Sequence, residues 1–140
     1  MARATRLDLN QVLKSLQQNG ATGGLELRRS ESNPEIAYAP LFETARSRVR
    51  LYWLRPGQRI PAHTHSFVDD IFYCIRGSGR IRTWDSGGTA QEHAIEPGTV
   101  FLVEPETPHE VSCRGDEFCF VILQAPRERY DFVAHKTTTT

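Results

Sequence analysis

Several features that would place a protein in a particular class are missing from this sequence. No apolar run approaches the roughly 18 residues that a membrane-spanning helix needs. Lysine and arginine together number 17, aspartate and glutamate also number 17, and no basic block stands out. Neither a nucleic-acid partner nor a membrane surface is therefore predicted.

Cysteine is also scarce. Cys74, Cys113 and Cys119 are odd in number and show no CxxC spacing, which favours a reducing compartment over a disulfide scaffold. The first ten residues contain no apolar stretch of the kind found in secretory signals. We therefore expect a cytoplasmic protein, and its 140 residues are enough for one domain with one core.

The N-terminal third contains one helical pattern. Residues 8–18 place Leu9, Val12, Leu13 and Leu16 on one face, with Asp8 or Asn10 as the N-cap. We predict that residues 1–46 form this short helix and edge strands, which pack on a barrel or on a partner subunit. A turn is expected at 20–24, and residues 127–140 are predicted to be a C-terminal tail with an ordered turn near Tyr130 and Phe132.

Residues 47–126 are predicted to form the barrel. Short segments rich in β-formers alternate there with glycine and proline, which is typical of an all-β sandwich or barrel. We expect one hairpin around Gly77–Gly79 and another around Gly115–Asp116. The segment 99–105 is predicted to be a buried strand.

Three histidines and an aspartate form the main candidate site. His63 and His65 lie two residues apart on a predicted strand, so they project from one face. Asp70 begins the next strand, and His109 begins a later strand. An isolated HxH pair is more often structural than metal-binding. Three imidazoles with one carboxylate nevertheless make a mixed nitrogen and oxygen site, suited to Fe(II), Mn, Co, Ni, Cu or Zn.

The spacing of these residues resembles the first cupin motif, with Gly57, His63, His65, Asp70 and Gly77 in the family's positions. Gly98, Pro105 and His109 resemble the second motif. The resemblance covers about residues 47–125. It implies a small single-domain cupin, a jelly-roll barrel or double-stranded β-helix, with a divalent metal bound inside.

Three positions depart from the family pattern. Asp70 stands where the family usually has glutamate, which leaves two ligand sets open: all four residues, or the three histidines with Asp70 outside them. Glu106 stands where the turn before the histidine usually has glycine, and Glu104 where a proline is usual, which bears on the conformation of that turn and not on His109.

Alternation along the strands predicts which side chains line the pocket. Phe72 and Cys74 share a face with Asp70, and Val111 and Cys113 share one with His109. The length of the expected turn at 77–79 decides between two further sets. Ile81 and Thr83 are favoured by hydrophobic patterning, whereas an inward Arg82 with Trp84 would indicate an anionic substrate.

Other candidates are weaker. Tyr52, Trp53 and Gln124 could line the pocket, although ordinary strand packing is the commoner role for such residues. His93 and His135 lie outside both motifs and are expected on the surface.

Three kinds of function fit these residues. The first, slightly favoured because three nitrogens and one carboxylate suit Fe(II), is a dioxygenase acting on a small chelating organic substrate. The second is a redox-neutral isomerase, lyase or cyclase in which the ion acts as a Lewis acid. The third is a non-catalytic module that binds a small ligand. We also expect a homodimer, because small cupins are often dimers and residues 25–44 could extend a partner's barrel.

Overall fold

The computed structural model describes residues 4–18 and 27–136 of the chain. The turn expected at 20–24 and the outermost residues of both predicted terminal segments lie outside these ranges. Among the described residues, no helix has the length and apolar character needed to cross a membrane.

The predicted N-terminal helix is α1, Leu9–Gln17. It begins at Asp8, whose carboxylate accepts the backbone N–H groups of Asn10 and Gln11 at 2.9 and 3.4 Å and so satisfies two donors of the first turn. Its apolar face is buried against the outside of the sheet, where the contacts include Ala39, Leu51 and Cys119. This packing, more than helix propensity, stabilises such a short helix.

The rest of the described chain is dominated by antiparallel strands, so the predicted all-β fold with a short N-terminal helix is confirmed. The strands are β1 (Arg28–Arg29), β2 (Ala37–Glu43), β3 (Arg48–Leu54), β4 (Arg59–Thr64), β5 (Asp69–Trp84), β6 (Ala90–Ile95), β7 (Val100–Val103), β8 (His109–Ala125) and β9 (Val133–Ala134).

Two long strands, β5 and β8, connect the two layers of the barrel. The first half of β5 and the second half of β8 lie in one layer, with the order β1-β2-β3-β8-β5-β7. The other halves lie in the second layer, with the order β9-β4-β8-β5-β6. Because each long strand belongs to both layers, residues from both layers face a common interior.

The hairpin predicted at Gly77–Gly79 is wrong. Residues 80–84 do not fold back on 70–76 but continue β5 into the second layer, where they pair with β6 and the start of β8. Gly77 has a φ of +77°, and a Cβ on Gly79 would lie 2.1 Å from the Phe118 ring. These glycines permit a bend and a close approach rather than a tight turn.

The hairpin predicted at Gly115–Asp116 is wrong for a similar reason. Gly77 pairs with Phe118, but Gly79 pairs with Cys113, so four residues of β8 lie opposite one residue of β5. The extra residues form a bulge, which lets β8 change layers without reversing.

The prediction that 99–105 is a buried strand is also incorrect. Val100 and Leu102 are 65% and 53% exposed, whereas Val103 is buried. Their partners across β5, Tyr73 and Ile71, are exposed as well. These four side chains form an outer apolar patch, and an apolar run therefore does not show burial on both faces of a strand.

The barrel interior holds the main apolar core. It contains Ile36, Tyr38, Tyr52, Leu54, Ile60, Phe72, Cys74, Ile81, Ile95, Val103, Val111, Phe118, Phe120 and Ile122. Ile81 is inside, as hydrophobic patterning favoured, and Arg82 instead pairs with Glu92 across β6. One end of the interior is polar, and there the histidines meet.

Candidate metal centre

Four buried side chains converge between the two layers of the barrel. His63, His65, Asp70 and His109 are at most 4% exposed, and each offers a ligand atom within 4.8 Å of the others. His63 and His109 are register partners across β4 and β8 in the second layer. Asp70 comes from the first layer, where it lies opposite Gln124. The structure therefore brings together all four residues proposed from the sequence as ligands.

The facing atoms of this cluster are close together. The Nε2 atoms of His65 and His109 each lie 3.0 Å from Oδ2 of Asp70. The Nε2 atom of His63 lies 3.2 Å from that of His65. Three imidazole nitrogens and one carboxylate oxygen thus lie within 4.8 Å of one another.

The other ring nitrogen of each histidine contacts a backbone carbonyl oxygen. Nδ1 of His63 lies 2.7 Å from the Pro61 oxygen, Nδ1 of His109 lies 2.9 Å from the Thr107 oxygen, and Nδ1 of His65 lies 2.5 Å from the Asp131 oxygen. A carbonyl can only accept, so each Nδ1 carries the hydrogen and donates it. In a neutral imidazole, Nε2 is then a bare lone pair.

Bare nitrogen lone pairs and a carboxylate oxygen repel one another unless a positive charge lies among them. A divalent transition metal supplies that charge, and the donor types match its preferences. Ligand atoms held about 2.1 Å from one ion lie about 3.0 Å apart at right angles and about 3.4 Å apart at tetrahedral angles. The three separations of 3.0, 3.0 and 3.2 Å fall in this range, so the residues present fit a metal ion.

The titration of these groups also reflects a positive charge at the centre of the cluster. Burial, reinforced by the neighbouring His109, lowers the pKa of His63 to about 3, so this ring is neutral at pH 7. Burial disfavours an ionised Asp70, but where a proton takes the place of a metal ion, hydrogen bonds from His109 and His65 outweigh burial and hold the pKa of Asp70 well below its usual range. Burial likewise disfavours a charged His65, yet the Asp70 carboxylate raises the pKa of His65, so a metal ion must displace this proton when it binds.

Gln124 fixes the orientation of the Asp70 carboxylate. Its Nε2 donates to Oδ1 of Asp70 at 2.9 Å, and its own Oε1 accepts from Nε of Arg48 at 3.0 Å. This leaves Oδ2 directed at the histidines. The shorter side chain of Asp70 therefore still reaches the cluster, which favours the four-residue set over three histidines alone.

The turn before His109 keeps its shape despite the missing glycine. Glu106 adopts a φ of +66°, the left-handed conformation that glycine takes most easily. Its backbone N–H donates to the carbonyl oxygen of His65 at 2.7 Å. The turn thus links the two halves of the histidine cluster through the backbone.

The C-terminal segment, residues 130–135, covers the histidines, which was not predicted from the sequence. The Phe132 ring stacks on His63 at 4.2 Å between centroids, and the Tyr130 ring lies 5.0 Å from His65. The Asp131 carboxylate accepts hydrogen bonds from the N–H and the hydroxyl of Ser66 at 2.7 and 2.6 Å. The aromatic residues in an otherwise polar tail were the one sign in the sequence that this segment is ordered. They did not indicate which surface of the barrel it packs against.

A cavity of about 360 Å³ adjoins the cluster. Its lining includes metal-ligand candidates, apolar side chains and two arginines. The lining residues are Ser30, Glu31, Ser32, Arg48, Arg50, Tyr52, Ile60, His63, Asp70, Phe72, His109, Val111, Ile122, Gln124, Tyr130 and Phe132. Phe72 and Val111 line it as strand alternation predicted, and so do the weaker candidates Tyr52 and Gln124. Arg48, Arg50 and the C-terminal aromatic residues were not predicted.

Three residues predicted to line the pocket lie elsewhere. Cys74 faces inward like Asp70 and Phe72, but it lies farther along β5, in the apolar core. The Thr83 hydroxyl lies 3.1 Å from Nε2 of His93 and away from the cavity. Cys113 is half-buried beside the bulge, where its thiol contacts the Gly115 carbonyl oxygen. Burial raises the pKa of the Cys74 and Cys113 thiols, which disfavours reactive thiolates.

Trp53 does not line the cavity, as its commoner role in strand packing suggested, and its indole N–H donates to Glu117. Two other expectations from the sequence need correction. His93 is half-buried against Phe101, and His135 is half-buried against Trp84, so neither is a free surface residue.

Comparison with known proteins agrees with this architecture. The family model described as the cupin domain matches residues 50–124, more than half of the chain. The chain belongs to the cupin family.

A Klebsiella pneumoniae protein with a double-stranded β-helix domain superposes with a TM-score of 0.69 at 20% identity, covering 96% of this chain and 100% of that one. A variant of Bacillus subtilis oxalate decarboxylase superposes with a TM-score of 0.62 at 16% identity, covering 73% of this chain and 27% of that one. These likenesses show the double-stranded β-helix fold.

Two curated relatives match parts of the cupin barrel. A glucose-6-phosphate isomerase from Thermococcus onnurineus is 33% identical over 73 residues, which cover 50% of this chain and 39% of the relative. Auxin-binding protein 5 from Zea mays is 30% identical over 88 residues, covering 60% and 58%. The matched stretches thus span only about half of these relatives, or less.

Proposed function

We propose that this cupin is a metal-dependent enzyme acting on a small chelating organic molecule. The observation that carries the proposal is the convergence of three histidine nitrogens and one carboxylate oxygen within 4.8 Å, beside a cavity. When bound, a divalent transition metal would supply Lewis acidity or, as Fe(II), redox chemistry with O₂. The donor set suits Fe(II) best, with Mn, Co, Ni, Cu and Zn as alternatives.

The chain's own residues prepare the site for such an ion. The backbone carbonyls of Pro61, Thr107 and Asp131 fix the tautomer of the three histidines, and Gln124 fixes Asp70. Partners of this kind orient ligands and tune their basicity. The apolar walls of the cavity, formed by Ile60, Phe72, Val111 and Ile122, exclude water and receive the carbon skeleton of the substrate.

Two reaction classes follow from this site. The donor set supports an Fe(II) dioxygenase. The second candidate is a redox-neutral isomerase, lyase or cyclase, and the names of the relatives support it: one curated relative is an isomerase, and oxalate decarboxylase, a structural neighbour, has Mn(II) centres. A non-catalytic binding protein is the remaining alternative, and the auxin-binding relative supports it.

The test loads the full chain anaerobically with Fe(II), Mn(II) or Zn(II) and supplies a panel of 2-oxo acids, 2-hydroxy acids and catechols. Oxygen uptake with the Fe(II) form supports the dioxygenase, and turnover under strict anoxia supports the redox-neutral enzyme. His63→Ala should abolish either activity. Ligand binding that persists in His63→Ala, with no metal retained by the wild type, would instead show a non-catalytic module.

We also propose that the protein is a homodimer, in keeping with the prediction from sequence. The outer apolar patch of Ile71, Tyr73, Val100 and Leu102 supports this, because association would remove it from water. Light scattering coupled to size exclusion should give twice the chain mass, and a monomer that persists at high concentration would refute the proposal. The cytoplasmic location stays a prediction.

A further inference from the structure

We propose that Arg48 and Arg50 bind the anionic group of the substrate, which makes the substrate a small organic carboxylate. This inference deepens the proposed function and rests on it for the metal ion at the histidine cluster. The evidence for the arginines is separate, because it comes from the cavity wall formed by β3.

The two arginines face the cavity from one strand. They lie two residues apart on β3, so both project to the same side, and both line the cavity. Across the sheet Arg48 pairs with Gln124, which pairs in turn with Asp70, and Arg50 pairs with Ile122. Inward-facing charges in a barrel wall are costly unless they are paired.

Arg50 has too few partners for its position. Its side chain is 15% exposed, and its Nε is fully buried with no hydrogen-bond acceptor among the residues that the structure describes. One terminal nitrogen lies 3.4 Å from the Tyr52 hydroxyl, and the other lies 4.0 Å from the Glu43 carboxylate. Buried donors are rarely left unsatisfied. Nε of Arg82, outside the cavity, is unsatisfied in the same way, so what distinguishes Arg50 is its place in the cavity lining, where its guanidinium can meet an acceptor from a ligand.

The acids near this wall are shared or engaged elsewhere. Glu43 lies within 4.0 Å of Arg50 but also 3.5 Å from both Arg28 and Arg127, so one carboxylate faces three guanidinium groups. Asp70 is engaged by the histidines and Gln124, and Glu31, the other acid of the lining, is exposed. The two arginines and two acids of the lining balance in formal charge, so a divalent cation at the histidine cluster would make the cavity positively charged and favour an anionic ligand.

The two arginines hold different positions in this wall. Arg48 donates to Gln124 and lies over the Tyr130 ring at 3.9 Å, which fixes its guanidinium in place. Arg50 lies over Tyr38 at 4.4 Å and keeps Nε free. A planar carboxylate matches a guanidinium edge better than other small anions, because it can accept two parallel hydrogen bonds.

The size of the cavity further limits the class of substrate. At about 360 Å³ it lies at the small end of the range for ligand sites. A ligand that reaches both Arg50 and the histidine cluster needs a carboxylate at one end and a second oxygen donor at the other. Small oxo and hydroxy acids have this arrangement, and apolar side chains such as Phe72 and Ile122 lie beside it.

The experiment compares acids with their neutral amides. Isothermal calorimetry on the full chain, metal-free and Zn(II)-loaded, uses 2-oxobutanoate, 2-hydroxybutanoate, malonate and salicylate, each beside its amide. In the wild type, at least one acid should bind about tenfold or more tighter than its amide in the Zn(II)-loaded form. In Arg50→Met, that acid should bind about 10- to 100-fold more weakly while the amide is unchanged, because charged hydrogen bonds are lost.

Two further variants serve as controls. Arg82→Met removes an arginine that pairs with Glu92 outside the cavity, and it should bind acids as the wild type does. Arg50→Lys keeps the charge without the planar edge and should retain part of the acid preference, which excludes a folding defect as the cause of the Arg50→Met loss. The inference is overturned if no acid binds more tightly than its amide, or if Arg50→Met keeps the preference.

Metal content, measured on the same samples, separates this inference from the proposed function. Arg50 does not contact the four metal candidates, so Arg50→Met should retain metal like the wild type. Metal retention without acid preference would refute the inference alone. Acid preference in a chain that takes up no metal would refute the proposed function alone.

Discussion

His63 and His109 are oriented from nearby in the chain, whereas His65 is oriented from far away. The first two donate to carbonyls only two residues earlier, Pro61 and Thr107. His65 donates to the carbonyl of Asp131, 66 residues later. Two ligand candidates are therefore positioned by the strands that carry them, and the third depends on docking of the C-terminal segment. Metal affinity should be coupled to that docking, since partners of ligating histidines set their orientation.

Removing the C-terminal segment should have the largest effect. A chain that stops after Arg129 loses the Asp131 carbonyl together with the Tyr130 and Phe132 rings. We expect Zn(II) affinity to fall about 10- to 100-fold, the usual cost of losing partners outside the coordination sphere. Competition with a chromogenic chelator measures it. A chain that stops after Lys136 keeps these contacts and is the control, and equal affinities for the two chains would contradict the coupling.

Metal removal should produce the reciprocal effect. If docking strengthens metal binding, then metal binding must strengthen docking by the same factor. Amide exchange at His135, whose N–H donates to the Ala62 carbonyl at 3.0 Å, should therefore speed up about 10- to 100-fold when metal is withdrawn. The amide of Val12 in α1, remote from the site, should not change. Equal acceleration at both amides would indicate general loosening instead.

Asp131→Ala should have a smaller effect. It removes the two hydrogen bonds to Ser66 but leaves the backbone carbonyl that holds His65. Zn(II) affinity should fall by less than about tenfold, because partly exposed interactions of this kind contribute little. Ser66→Ala removes the hydroxyl partner, so the double variant should lose less than the sum of the single losses. Strictly additive losses would show that the two side chains act separately.

The smallest effect is expected in the turn before His109, the histidine that is oriented by residues nearby in the chain. Glu106→Gly relieves a left-handed φ of +66° in the turn before His109, which should stabilise the metal-free protein by up to about 1 kcal/mol. Urea unfolding measures it, and Glu104→Gly is the control, because Glu104 does not have a positive φ. Zn(II) affinity should not change. A fall in stability would mean that the Glu106 side chain itself supports the turn.

The same contrast between contacts that are local in sequence and contacts between distant residues explains how much of the site the sequence could predict. His63 and His65 share a face because of strand alternation alone, and a motif spacing added Asp70 and His109. The contact between His65 and Asp131 joins residues 66 apart and follows no local periodicity. Aromatic residues in the tail could indicate order there but not the surface against which they pack.

The bends in β5 and β8 mark a second limit. A Gly-Ser-Gly sequence is the usual signature of a turn, yet here Gly77 and Gly79 let one strand cross between layers against Glu117 and Phe118. Thr83 and Cys113 keep the parity of Ile81 and Val111, because the register between Gly79 and Thr83 runs without a shift, yet neither lines the cavity. Strand parity predicts which face a side chain takes but not how far the cavity extends along that face.

The most direct test of the account is metal content by mass spectrometry after reconstitution with Fe(II) or Zn(II) and removal of loosely bound ions. We expect one ion per wild-type chain and none in His109→Ala or Asp70→Ala. Retention in Asp70→Ala alone would reduce the site to three histidines. A wild-type chain that retains no metal, or a His109→Ala chain that retains as much as the wild type, would contradict the central claim that these four residues hold one ion.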